Sequence, residues 1–470
     1  MRNEPIPGFK GQRLGYTPEV IHVRCDEPPQ TSFLCINPYR HFHCCHLTNP
    51  SSVPTRYCCI LPLFGSFTTH FTMTTATFTL PDLVSTCPFP LRCNPNLEPI
   101  ASESNKWIDG YDIHPNDGHR KAYEACAFGL LVAHTYPKAD GQRFRVLCDF
   151  INALFAFDDL MDEEHLVRDP SGTKKAIDAL MNAFWHHDTH KPGFKLAQAN
   201  QSFWARAIGI GMAPGTRRRF LEYTDHYCRA VHEQVTNRSK DIIMDVESFT
   251  RMRRDTGALK ICFVMGEFGL GTDIPDEVFD HPLVKTMENC ANDIVVLAND
   301  IYSWNIEQAQ GHTANIITVL MKAKNLSVQT AMDLVGEEIQ KRFRTYLDCK
   351  ARLPSWGPTV DRDAHAYFTV LEDWSAGNFT WSLTSMRYFG KNAPTIRKSL
   401  VVSILPREQK TATDLRNAKE DVCVPIAVKQ PKDTVTFILS LYFILLSGAL
   451  LYLAHRNGRL RSFSALRMLS

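Results

Sequence analysis

Asn299-Asp300-Ile301-Tyr302-Ser303-Trp304-Asn305-Ile306-Glu307 is the stretch on which the reading of this chain turns. Asn299, Ser303 and Glu307 are spaced by four and four. At roughly 100° per residue, each step of four drifts by only about 40° around a helix. An amide oxygen, a hydroxyl and a carboxylate therefore line one stripe. Hard oxygen donors in such a row suit Mg²⁺. Ile294-Val295-Val296-Leu297, just before the stripe, predict a buried helix, and a polar stripe on a buried helix needs partners. Two readings stay open at this point: a metal-binding stripe, or a core hydrogen-bond network satisfied within the protein.

Working outward, a second oxygen-rich stretch lies upstream, at Asp158-Asp159-Leu160-Met161-Asp162-Glu163-Glu164. It ends a helical pattern that begins near Arg143. Asp158 and Asp162 are i and i+4 and share a helix face. Crowded carboxylates after the apolar approach Phe155-Ala156-Phe157 repel one another unless cations compensate them. Mg²⁺, which binds best when substrate phosphates complete its shell, fits that need. A solvated acidic helix end is the alternative.

From about Phe78 to Leu405 apolar residues recur at three- and four-residue spacing between breakers. Helices are predicted over 122–135, 143–160, 174–185, 217–236, 246–268, 283–308, 328–353 and 364–374. Alternating strand patterns are scarce. The expectation is one all-α domain whose long helices line a shared cavity.

The flanks differ. Residues 1–75 are rich in Pro, Cys, His and Thr without a sustained period, and carry no CxxC or HxxxH pair; they read as a low-order leader. Residues 406–433 are charged and read as a linker. Residues 434–454 are twenty-one residues without charge. At ~1.5 Å per residue they match a bilayer core of roughly 30 Å, so they predict a C-terminal transmembrane helix. The expected location is the membrane, with the catalytic domain facing the cytosol. A net charge of +2 offers no argument for nucleic acid. Fifteen cysteines in 470 residues are too dilute for a disulfide scaffold, and no secretory signal opens the chain.

Taken together, these words resemble a family. Asn299 to Glu307 matches the NDxxSxxxE signature of microbial class I terpene synthases, and Asp158 to Asp162 matches their DDxxD motif. NDIYSWNIEQAQG followed by HTANIITVLM is similar to the fungal sesquiterpene cyclases. TFTLPDL and CNPNL, near Phe78, look like that family's start, and the resemblance runs to Tyr388, roughly two thirds of the chain. Arg253 lies 46 positions before Asn299 and Arg387-Tyr388 begins 80 positions after Glu307, the intervals of the family's diphosphate-sensing arginine and its Arg-Tyr pair. Gly377-Asn378-Phe379-Thr380-Trp381 resembles its GNxxW segment.

The resemblance implies a class I isoprenoid synthase helical bundle around a central cavity. It implies a cluster of three Mg²⁺ ions held by Asp158, Asp162, Asn299, Ser303 and Glu307. The substrate would be a prenyl diphosphate, farnesyl diphosphate for a sesquiterpene cyclase, clamped by Arg253, Arg387 and Tyr388. Gly257 would take the effector position, and Trp381, Phe155 and Phe157 would wall the cavity. Ile306 stands where many bacterial relatives carry a lysine. A chain-elongating prenyltransferase would need a second DDxxD, and a squalene-synthase-like enzyme two DxxxD-type clusters. A class II cyclase would need DxDD, which is absent. A membrane-anchored helical binding protein would need neither oxygen cluster.

Overall fold

The structure, a computed structural model, describes residues 76–162 and 166–407. All of them belong to the second of two units, 72–470. The leader over 1–75, the linker from 408 onward, the 434–454 segment and Glu163-Glu164 lie outside the described residues.

The described part is a helical bundle, with a single two-stranded ribbon among the described residues. Thr77–Thr79 pairs antiparallel with Val401–Ser403, Phe78 opposite Val402. Phe78 and Val402 are buried beneath it, and the Phe78 ring meets Trp304 edge-on at 5.3 Å.

Three long helices position the site. The aspartate helix, Gly141–Asp162, packs against Leu97–Asp109 and Lys195–Ile210. The triad helix, Pro282–Gln310, starts with Pro282 in its first turn and stops at Gly311, whose φ of 81° only glycine adopts freely. Its middle is buried on nearly every side, as the apolar run before Asn299 predicts. It packs along Val328–Ala351 and against the tryptophan helix, Pro358–Thr384. That last helix also contacts Phe128–Thr135 and Leu259–Leu270.

Two predicted helices are each broken in two. Residues 122–135 divide into Asp117–Ala125 and Phe128–Thr135, with Ala127 at φ 51°. Residues 246–268 divide into Val246–Thr256 and Leu259–Leu270, with Ala258 at φ 56°. A left-handed alanine costs roughly 1–2 kcal/mol, and alanine has the highest helix propensity of all. Gly257, a poor helix residue at the expected effector position, marks the second break in the sequence; no such signal marks the first. Membrane attachment is also corrected: among the described residues, no helix is long and apolar enough to cross a membrane.

Candidate active site

The triad helix brings Asn299, Ser303 and Glu307 to one face, as their spacing requires. Around them the Val246–Thr256 helix supplies Arg253, and the turn after the tryptophan helix supplies Tyr388. Arg253 donates from Nη2 to Asn299 Oδ1 at 2.7 Å and from Nε to Asp300 Oδ1 at 2.9 Å. Asn299 donates from Nδ2 to the Tyr388 hydroxyl at 2.7 Å. Ser303 is buried, and its Oγ lies near the Glu307 carboxylate without making a hydrogen bond of ordinary geometry to any described residue. Glu307 accepts a bond from Asn315 Nδ2 at 3.1 Å. Burial first, and then the charge of Asp300, push the Glu307 carboxyl up to about 7. Burial opposes the charge of Arg253, but Asp300 and Glu307 outweigh it and hold the guanidinium above its ordinary value.

The three aspartates in the last turns of the facing helix meet three different fates. Asp158 lines the cavity and has no ion pair or hydrogen bond among the described residues. Burial, then repulsion from Asp162 and Asp159, push it up to about 7. Asp159 takes a two-pronged contact from Arg387, at 2.6 and 3.1 Å. The same guanidinium lies over the Phe155 and Phe128 rings, 5.4 and 5.9 Å from their centres. Burial works against the Arg387 charge, yet the pairing with Asp159 holds it well above its usual range. Asp162 accepts from Arg238 Nη1 at 3.0 Å, and that nitrogen also reaches the Val167 carbonyl at 3.4 Å.

Between the two helices lies a mainly apolar cavity with Asp158, Arg253, Asn299 and Tyr388 in its wall. Leu131, Ile151, Phe155, Leu259, Val295 and Trp374 form much of the rest. Of the three aromatic residues singled out from the sequence, Phe155 faces this space. Trp381 and Phe157 stand behind the lining. Trp381 is fully buried, and its indole N–H reaches the carbonyls of Cys126 and Ala127 at 2.7 and 3.1 Å, peptides at the first helix break. Phe157 packs on Tyr227. Trp374 and Tyr227 line the cavity and were not singled out; Trp374 lies seven residues, two helical turns, before Trp381.

Gly257 sits at the second helix break and also lines the cavity. Its φ of −74° is ordinary, so backbone freedom is not what it supplies. A Cβ at that position would fall 2.3 Å from Val296 Cγ1 on the triad helix. Glycine is there because the two helices approach too closely for a side chain.

Divalent metal fits this donor set. The donors are all oxygens, Ser303 Oγ lacks a hydrogen bond of ordinary geometry, and two carboxylates are buried without full neutralisation. Among the described residues no three His, Cys, Asp or Glu side chains converge into a cage. Incomplete protein ligation of this kind is what a hard cation sharing its shell with phosphate oxygens requires.

Residues 149–345 match the family model described as terpene synthase family 2, C-terminal metal binding. Sesquiterpene synthase Agr1 of Cyclocybe aegerita is 37% identical over 332 residues, covering 70% of this chain and 94% of that one. The chain belongs to the terpene synthase family. It is a lyase with a metal-binding terpene synthase domain. Alpha-muurolene synthase of Coprinopsis cinerea is likewise 37% identical, over 70% of this chain and 78% of its own. Among solved structures, germacradien-4-ol synthase from Streptomyces citricolor superposes with a TM-score of 0.56 at 24% identity, covering 63% of this chain and 96% of that one. An α-eudesmol synthase does so at 0.57 and 21%, over 63% and 98%. At such identities these two show the fold, the all-α terpene synthase bundle.

Proposed function

We propose that this terpene synthase binds Mg²⁺ and farnesyl diphosphate and cyclises the farnesyl chain to a sesquiterpene. The observation that carries the reading is convergence. Asp158 from one helix, Asn299 from another, and Arg253 with Tyr388 all border one mainly apolar cavity, and Ser303 and Glu307 follow Asn299 along the same helix face. The sesquiterpene synthases among the relatives support the fifteen-carbon substrate.

Asp158, Asp162, Asn299, Ser303 and Glu307 would hold the ions. Bound Mg²⁺ supplies Lewis acidity that draws charge off the diphosphate oxygens. Arg253 and Arg387 present planar forks to the remaining oxygens, and Tyr388 adds a hydroxyl donor. With Ile306 beside Glu307, the triad helix contributes no cation of its own to the diphosphate. The C–O bond then breaks with its electron pair on the leaving group. The apolar wall keeps water from the allylic cation and folds the chain so that a double bond attacks it. Phe155, Tyr227 and Trp374 offer aromatic faces, each worth ~0.5–2 kcal/mol to a desolvated cation. Loss of a proton closes the sequence.

The test is to incubate the full-length protein with Mg²⁺ and geranyl, farnesyl or geranylgeranyl diphosphate, and to identify volatiles by mass spectrometry. A sesquiterpene from farnesyl diphosphate is expected. No terpene from any of the three overturns the cyclase reading, and preferred turnover of either other substrate overturns the assignment of chain length.

A further inference from the structure

Asn315 falls outside every motif used so far, and all of its polar capacity is committed. It is fully buried at the turn between the triad helix and the helix Ile316–Lys324. Its Oδ1 accepts the Ile317 N–H at 2.9 Å and caps that helix. Its two amide hydrogens go the other way, to the Asp300 carbonyl at 2.8 Å and to Glu307 Oε2 at 3.1 Å. The next peptide N–H, of Ile316, reaches Asp300 Oδ2 at 2.8 Å, and Asp300 Oδ1 receives Arg253. One turn thus grips both ends of the 300–307 segment and, through Asp300, the arginine beside it.

We infer that Asn315 is a positioning residue that fixes the carboxylate of Glu307 for the metal. Glutamate carries three side-chain torsions, and an unheld carboxylate has to be ordered each time an ion binds. Asn315 holds one oxygen and leaves Oε1 to the ion. Partners that orient a ligand in this way are typically worth about 10–100-fold in metal affinity. The inference rests on the assignment of Glu307 to the metal made above.

The competing role is helix capping alone, and two substitutions separate the roles. Asn315→Ser keeps a capping oxygen and removes both donors to the triad helix. Asn315→Thr likewise keeps a capping hydroxyl and removes the two amide donors, without adding charge beside Glu307. Mn²⁺ binding to the full-length protein with inorganic diphosphate, read by electron paramagnetic resonance, gives affinity without turnover. Circular dichroism reports whether each variant is folded. Asn315→Ser is expected to weaken Mn²⁺ binding by about 10–100-fold while staying folded. Unchanged binding in Asn315→Ser, with Glu307→Gln weakened, overturns the inference and leaves Asn315 a cap. Unchanged binding in Glu307→Gln as well overturns the metal assignment beneath it. Should Asn315→Ser not fold, Asn315→Thr decides by the same two outcomes.

Discussion

Arg253 and Arg254 are neighbours on one helix, and each meets a carboxylate on the triad helix, seven residues apart. Arg254 and Asp293 form a closed network. Asp293 takes two bonds from Arg254, at 2.6 and 2.8 Å, and a third from Arg342 at 2.8 Å. Asn292 returns a bond to the Arg254 carbonyl at 2.8 Å. Around Arg253 the network stays open. Its guanidinium divides between Asp300 and Asn299, Ser303 Oγ lacks a hydrogen bond of ordinary geometry, and Asp158 faces the cavity unpaired. The same residue types at the same kind of helix crossing serve two ends. The carboxylate beside Arg254 is fully paired within the bundle, whereas Asp158, across the cavity from Arg253, has no such partner among the described residues.

The strongest attempt to break this contrast removes the open oxygens. Asn299→Ala combined with Ser303→Ala should lower turnover by at least about 10²-fold, with helicity by circular dichroism unchanged. Retained turnover would mean that the second metal cluster is misassigned. Next come the two arginines. Arg253→Lys keeps the charge beside Asp300 but loses the fork, and should lower turnover by about 10²-fold with the urea midpoint little changed. Arg254→Lys should leave turnover of the folded protein intact and cost about 1 kcal/mol in urea unfolding. Exchanged outcomes would erase the distinction.

Gly257 sets how closely the end of the Val246–Thr256 helix approaches the triad helix. Gly257→Ala should therefore destabilise by about 1–3 kcal/mol, and Val296→Ala in the same chain should recover part of it in urea titrations. A neutral Gly257→Ala would show that the crossing is looser than the 2.3 Å approach requires.

The smallest effect is one of pH. Glu288, further back on the triad helix, accepts the Tyr367 hydroxyl, and burial pushes its carboxyl up to about 7 from 4.5. The folded form then holds a proton that the unfolded chain has lost. Its stabilising share is complete below the unfolded value and disappears as pH rises through about 7. Asp158 and Glu307 act in the same direction. Without added metal, urea midpoints should fall from pH 5 to pH 8, and Glu288→Gln should flatten part of that slope while Mn²⁺ affinity stays unchanged.

Much of this was legible because a period is a global property of a helix. The predicted span 143–160 is found at Gly141–Asp162, and 283–308 at Pro282–Gln310. Lys195–Ile210 was not among the predicted helices: Gln198, Asn200 and Gln201 interrupt its apolar run, although Asn200 is buried and bonds back to the Leu196 carbonyl. Ile316–Lys324 is too short to establish a period. At the site, spacing alone places Asn299, Ser303 and Glu307 on one face. It does not assign the three aspartates their separate partners, because Arg387 and Arg238 arrive from distant parts of the chain. Asp300 and Asn315 escaped notice for a related reason. Each acts through bonds to backbone or to another side chain, and their local words carry no mark of it.

The small ribbon has a bearing on chain order. Ile404 donates to the Ala76 carbonyl at 2.8 Å, so the polypeptide enters and leaves this fold at adjacent points. Asn305, two residues beyond Ser303 and hence turned away from the cavity, binds both the Ser403 carbonyl and the Leu405 amide. The back of the triad helix is thereby strapped to the exit strand while its front serves the site. Covalent sequence is interchangeable at such a junction. A circular permutant that fuses residue 407 to residue 76 and opens at the exposed Lys191 turn would keep Asp158, Asp162, Asn299, Ser303 and Glu307 on the same two helices.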